Sequence, residues 1–144
     1  MQNSFYASGF LYSLKTGQIL LLQSNSEDSP LWSTFGGEGL EEEESSVAFQ
    51  RIINNLLNLN LKLKDIYPVY DYFQATRNKI NFVFYAQVKS TKKFNNPEDI
   101  SFSWSTFDEA RKFQFTTQTK QDIVVGERVI NAKLRDLAYR ESEE

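Results

Sequence analysis

The sequence predicts an α+β fold in one domain, a β-sheet flanked by helices, and three observations predict it. Segments of alternating polarity lie on both sides of a helix-period stripe at Ala48–Leu57, so the order is strands, helix, strands, helices. The 144 residues hold 40% hydrophobic and 24% charged side chains, a globular balance with enough apolar bulk for one core. No internal repeat, low-complexity tract or linker divides the chain, so residues 1–144 are expected to form a single domain with a charged, frayed tail over residues 140–144.

The first element is a hairpin. Phe10, Tyr12 and Leu14 alternate with Leu11 and Ser13, Lys15-Thr16-Gly17 makes the turn with Gly at a positive φ, and Gln18–Gln23 returns. Ser24–Pro30 is a polar loop, and Leu31–Phe35 is a short strand running into the glycine pair Gly36-Gly37. Ser45 is placed to cap a helix whose Ala48, Phe49, Ile52, Ile53, Leu56 and Leu57 recur at three- and four-residue spacing, and Asn58 is placed to stop it. Leu61–Gln74 and Ile80–Lys89 form a second strand pair around the turn ATRNK, with Lys62 and Lys64 alternating on a strand face. Ile100–Trp104 is a further strand. Thr106–Glu109 and Thr119–Asp122 both have capping-box spacing, the second opening a helix whose Ile123, Ile130, Leu134 and Leu137 share a face.

Composition excludes several chemistries. The chain has no Cys and no His, which removes disulfides, thiolate and imidazole catalysis and the usual zinc ligands. Any metal would be an oxygen-ligated Mg²⁺ or Mn²⁺. A net charge of −3 gives no global drive toward nucleic acid or acidic membranes and argues against a dedicated nucleic-acid binder. The longest purely apolar run, Ile19–Leu22, is far short of the roughly 20 residues that span a bilayer. The N-terminal segment has no basic region ahead of an apolar stretch, so a cytoplasmic location is expected.

The motif that carries the most information is GGEGLEEEESSVAFQRIINNLLNL, from Gly36 to Leu59. Five residues separate Gly37 from Glu43, and seven separate Glu43 from Arg51. Upstream, Trp32-Ser-Thr-Phe35 leads into the glycines; downstream, Glu98 lies six residues before Trp104, with Thr106–Ala110 following. In these features the chain resembles the Nudix hydrolase superfamily, whose box runs Gly, five residues, Glu, seven residues, then Arg-Glu and a further Glu-Glu pair. The resemblance covers roughly Tyr6 to Leu137 and implies an α/β/α sandwich with a mixed central sheet.

The departures matter as much as the match. In that family the glutamates after the Arg bind Mg²⁺ or Mn²⁺ and the metals activate water beside a diphosphate. The corresponding positions are related by i, i+3 and i+4, so they share one helix face, and here they hold Ile52, Asn55 and Leu56. Two apolar groups and a carboxamide do not make a divalent-cation cage. The box is therefore degenerate, and no cofactor is implied unless other carboxylates supply an Mg²⁺ or Mn²⁺ site. Glu43 and Arg51 match the pair that braces the loop in the family, with Glu43 and Glu98 the remaining acid candidates for catalysis. Gly36, Gly37 and Glu98 are the candidates for substrate contact. The resemblance implies a nucleotide or nucleoside-diphosphate ligand with little or no hydrolysis. Its alternatives are an active pyrophosphohydrolase with relocated carboxylates (the 41–44 acidic run plus Glu98) and an assembly module with a vestigial cleft. Dimers are common in the superfamily, and no segment here marks an interface.

Overall fold

The computed structural model describes residues 5–25 and 31–142. Among them seven strands form one mixed sheet centred on β1 (Phe5–Ser13). One edge of β1 pairs in parallel with β6 (Lys79–Val88), from Phe5 opposite Ile80 to Ser13 opposite Val88. The other edge is divided between two antiparallel neighbours. β4 (Phe35–Glu38) pairs with the N-terminal half of β1, and β2 (Gln18–Ser24) with Leu11 and Tyr12. β5 (Ile66–Gln74) extends the sheet beyond β6, while β3 (Trp32–Ser33) and β7 (Ile100–Thr106) both pair with β2. The turn between β1 and β2 has Gly17 at φ 69, as its place in the hairpin requires. β1 ends one residue before Leu14, which is exposed in that turn.

Side-chain alternation along β1 builds two cores. Ala7 and Leu11 face α1 (Ser45–Leu57) together with Phe35, Phe84 and Ala86, and Phe49 of the helix stacks on Phe84 with ring centroids 5.6 Å apart. Phe10 and Tyr12 face the opposite side, where α2 (Phe107–Ala110) and α3 (Thr117–Ser142) contribute Ala110, Ile123 and Ile130. The layers are helix, sheet, helix. No helix among the described residues is long and apolar enough to cross a membrane.

Several local expectations change on contact with packing. Ser45 is the first helical residue of α1 and not its cap; the cap position is Glu44, which makes no side-chain capping bond. Asn58 does end the helix, at φ 54 with its N–H donated to the Asn54 carbonyl. The segment from Leu61 is not strand. The Asn54 carboxamide accepts from the Leu61 N–H at 2.9 Å and Gln50 donates to the Leu61 carbonyl at 2.9 Å, so side chains of α1 hold that backbone. A single 3-10 turn at Leu63–Asp65 follows, Lys62 and Lys64 therefore lie off any strand face, and β5 begins at Ile66. The capping box at Thr106 forms as its sequence spacing implies, with bonds of 3.1 and 2.8 Å. The second does not: α3 starts earlier, at Thr117, the Thr116 hydroxyl accepts from the Thr119 N–H at 3.2 Å, and Asp122 is engaged elsewhere. Arg140 is helical and paired with Asp136 at 3.2 Å, so α3 reaches Ser142 where fraying was expected; the last two residues of the tail lie outside the described residues, as do residues 26–30 of the polar loop.

Candidate ligand-binding cleft

The register of β4 sends its two glycines to opposite faces. Gly36 sits opposite Ser8, and Gly37 opposite Ala7. Cross-strand partners share a face, so Gly36 looks toward the α3 layer and Gly37 toward α1. A Cβ built on Gly36 would come within 2.7 Å of the Tyr6 ring, and one on Gly37 within 3.0 Å of Ile52 Cδ1. Gly36 lets the strand approach the tyrosine closely, and Gly37 is in tight contact with the isoleucine on the other side.

On the Gly36 side lies a cleft of about 300 Å³, walled by Tyr6 and Ser8 of β1, Tyr72 and Gln74 of β5, Asn81 of β6 and Gln118 and Asp122 of α3. Its wall is a hydrogen-bonded chain. Ser8 Oγ donates to Asn81 Oδ1 (3.0 Å), Asn81 Nδ2 donates to the Tyr72 hydroxyl (2.9 Å), and that hydroxyl donates to Asp122 Oδ2 (3.3 Å). Asp122 Oδ1 accepts from the Tyr70 hydroxyl (2.6 Å) and from Gln118 Nε2 (3.1 Å). Asp122 is only 3% exposed. Burial raises its pKa above the ordinary carboxylate range, while the donors from Tyr70, Gln118 and Tyr72 oppose the rise. Burial also pushes Tyr72 up to about 12 and Tyr70 well above the ordinary phenol range, so both stay protonated donors at neutral pH. At the rim, the Arg77 guanidinium lies 3.9 Å over the Tyr6 ring and makes no ion pair among the described residues. The cleft thus offers neutral donors and acceptors along its wall, a buried carboxylate and one cation.

The Gly37 side is different in kind. Ile52 packs on Gly37 and on the α1-side core, while Asn55 and Leu56 are exposed. Arg51 forks onto Glu43, with Nε to Oε2 at 2.9 Å and Nη2 to Oε1 at 3.0 Å, and also donates to the Glu38 carbonyl at 3.0 Å. The Arg51 hydrogen bond is the main reason the Glu43 carboxyl is held below the usual range. Glu43 Oε1 additionally accepts from the Leu40 N–H at 2.9 Å, closing the loop on itself. Glu38 is paired with Lys79. Among the described residues no three acidic side chains come together in a group that could hold a metal ion. The donor set around Gly37 does not fit the Mg²⁺ or Mn²⁺ site of the box: the helix side chain against Gly37 is a hydrocarbon, and the Glu43 and Glu38 carboxylates are engaged by Arg51 and Lys79.

Of the residues singled out in the sequence, Gly36 lines the cleft. Gly37 faces the other way, and Glu98 is exposed in the turn before β7, off the cleft wall. Glu43 and Arg51 are joined to each other and to the loop. Sequence reasoning passed over Asp122 as a helix cap and Arg77 as a turn residue. A signal for Asp122 was present. Asp122, Gly126 and Ile130 recur every four residues, the buried stripe of α3, and a carboxylate on such a stripe must find partners. Arg77 had no comparable signal, because its place depends on how the β5–β6 turn folds over Tyr6.

No family model and no curated protein sequence matches the chain. Solved structures do. It is similar to the solution structure of the E. coli ORF135 protein, with a TM-score of 0.69 and 17% identity over 92% of this chain and 94% of the other. A mutT/nudix family protein from Listeria innocua superposes with a TM-score of 0.68 and 15% identity over 93% and 98%. The NUDIX domain of Shewanella oneidensis NrtR, solved with ADP ribose, gives 0.65 and 15% over 90% and 89%.

Proposed function

The chain has the Nudix fold, and from that premise we propose that it binds a nucleotide or nucleoside-diphosphate derivative in the cleft over Gly36, without a divalent cation and with little or no hydrolysis. The observation that carries this reading is the split across β4. A polar cleft whose wall is hydrogen-bonded from Ser8 to Asp122 lies on one face, and Ile52 stands against Gly37 on the other, where the resemblance places a metal-binding glutamate. A recognition surface is retained beside a face that can no longer hold a metal.

Recognition without a metal requires another source of positive charge for the phosphates. Arg77 supports that role, since its guanidinium is oriented by the Tyr6 ring and keeps its N–H groups for a ligand. The wall from Ser8 to Asp122 presents the amide and hydroxyl groups that a heterocycle hydrogen-bonds. The similar NUDIX domain solved with ADP ribose makes nucleoside diphosphate sugars the first class to test. The ligand is taken by residues 1–144 acting as one domain.

The test is a melting-temperature panel of ADP ribose and other nucleoside diphosphate derivatives, run with MgCl₂ and again with EDTA. A stabilisation of equal size in both is expected, and Arg77→Gln should weaken it to roughly a tenth of the affinity. Stabilisation that vanishes with EDTA, or robust metal-dependent turnover that is lost in Glu43→Gln, would overturn the metal-free reading. No stabilisation by any compound would leave an assembly role instead.

A further inference from the structure

The α3 helix crosses the sheet face with Phe10, Ile123 and Gly126 packed at its middle, and a second cleft opens at the opposite end of the same face. It has a volume of about 230 Å³ and shares no lining residue with the first. Its floor is three tyrosines, Tyr12 of β1, Tyr67 of β5 and Tyr85 of β6; its sides are Leu14, Ile130, Leu134 and Leu137; and Lys133 stands at the edge.

The tyrosines are the unusual part. Tyr85 is 1% exposed and Tyr12 5%, yet neither hydroxyl has a hydrogen-bond partner among the described residues. Both residues give their rings to the core, Tyr85 stacking on Tyr67 at 5.2 Å and meeting Tyr12 edge-on at 6.2 Å. The hydroxyls are not sealed inside with the rings, since neither is among the buried orphan polar atoms, and they reach the cleft. Phenylalanine would fill the same core space without a polar group to satisfy. Burial and the neighbouring Tyr67 and Tyr12 push Tyr85 up to about 12, which keeps its O–H a donor. Lys133 holds its ammonium 3.0 Å over the Tyr67 ring and makes no ion pair among the described residues. Two phenolic donors and an ammonium therefore converge on one small space, whose remaining lining is the Gln87 carboxamide, Tyr67 and four aliphatic side chains.

We propose that this second cleft binds a small apolar carboxylate, an aliphatic or aromatic monoacid, with its carboxylate on the Tyr12 and Tyr85 hydroxyls and Lys133 and its body against Leu14, Ile130, Leu134 and Leu137. The charge balance selects the class. One ammonium neutralises one negative charge, whereas a phosphate dianion would carry a second, uncompensated charge among apolar side chains. The volume is below the range of drug-sized sites, so the body is short. The bound acid would also cover Leu14 and Leu137, which stand 49% and 45% exposed.

The experiment is a titration of the full chain with sodium octanoate, followed calorimetrically and by amide chemical shifts, with 1-octanol as the uncharged control. Saturable one-to-one binding is expected, with shifts confined to residues around Tyr12, Tyr85 and Ile130–Leu137. Octanol, Tyr85→Phe and Lys133→Gln should each bind about tenfold more weakly than octanoate to the wild-type chain, the effect of one charge-assisted hydrogen bond. Lys133 is partly exposed, so its variant reports on the site even where Tyr85→Phe alters folding. Absence of saturation, equal affinity for octanol, or shifts mapping to the Asp122 cleft would overturn the proposal. So would a concentration-dependent dimer, insensitive to octanoate, that buries Leu14 and Leu137. ADP ribose should leave octanoate affinity unchanged, so failure of one site does not imply failure of the other.

Discussion

Asp122→Ala is expected to lower the free energy of unfolding by about 2–3 kcal/mol in urea, while Asp122→Asn stays within about 1 kcal/mol of wild type at neutral pH. The reason lies in who loses a partner. Alanine removes the acceptor for the Tyr70 hydroxyl, the Tyr72 hydroxyl and the Gln118 amide at once, and Asp122 is too buried for water to replace it freely. Relief of a desolvated charge offsets part of that cost, which keeps the figure below the sum of three bonds. Asparagine keeps an oxygen for Tyr70 and Gln118 and offers its amide to the second lone pair of the Tyr72 hydroxyl, whose first accepts from Asn81. Only the Tyr72 O–H loses its acceptor. An alanine variant as stable as wild type would show that the Tyr70–Asp122–Tyr72 chain holds nothing together.

The same residue sets a pH signature with a definite sign. Its carboxyl has a folded pKa above the unfolded value, so the folded state binds its proton more tightly. The stability contributed by protonated Asp122 is therefore fully present below the ordinary carboxylate range and is lost as pH rises through the raised folded value. Glu43 runs the other way, its folded pKa being lowered by Arg51, so its contribution is present above the ordinary range and lost as pH falls. Melting temperatures of wild type and Asp122→Asn measured from the ordinary carboxylate range up to neutrality separate the two. The wild-type advantage should shrink as pH rises and then level off; an advantage that grows with pH would contradict a buried carboxyl whose burial outweighs its hydrogen bonds.

The sequence carried the outline of the fold because the strongest local signals and the global packing agree. The alternation in β1 and β6, the stripe in α1 and the Thr106 capping box each fix an element from a few neighbouring residues. Where local chemistry competed with tertiary contacts, the contacts won. Leu61–Asp65 has strand-like alternation, but Gln50 and Asn54 reach across from α1 and take its backbone groups. Thr119 and Asp122 have capping-box spacing, but the carboxylate is taken instead by two half-buried tyrosine hydroxyls. The cleft was the least legible part. It is assembled from β1, β5, β6 and α3, and its side chains meet only through a parallel register of Tyr6 with Asn81 that no single segment encodes. The side chains on the box face of α1 were readable for the opposite reason, since Ile52, Asn55 and Leu56 belong to one helix.

Replacing Arg51 is expected to cost about 2 kcal/mol of stability as Arg51→Ala, with Arg51→Lys recovering little of it. Arg51 does three things with one planar group. It grips both oxygens of Glu43, which is 11% exposed, and reaches the Glu38 carbonyl at the end of β4. Lysine keeps the charge but brings a single point donor, so one Glu43 oxygen and the Glu38 carbonyl lose their bonds. Amide exchange in residues 38–44 should accelerate in both variants while exchange in β1 and β6 is unchanged, because the pair closes the loop and not the sheet. Full recovery in Arg51→Lys would mean that charge alone matters and the fork is incidental. The cleft gives this loop a continuing reason to be held: Glu38 follows Gly36 and Gly37 in β4, and the close approach of Gly36 to Tyr6 beneath the Arg77 guanidinium depends on where that strand ends. The Glu43–Arg51 clamp therefore matters to the cleft whatever α1 binds, because it anchors the end of the strand that carries Gly36.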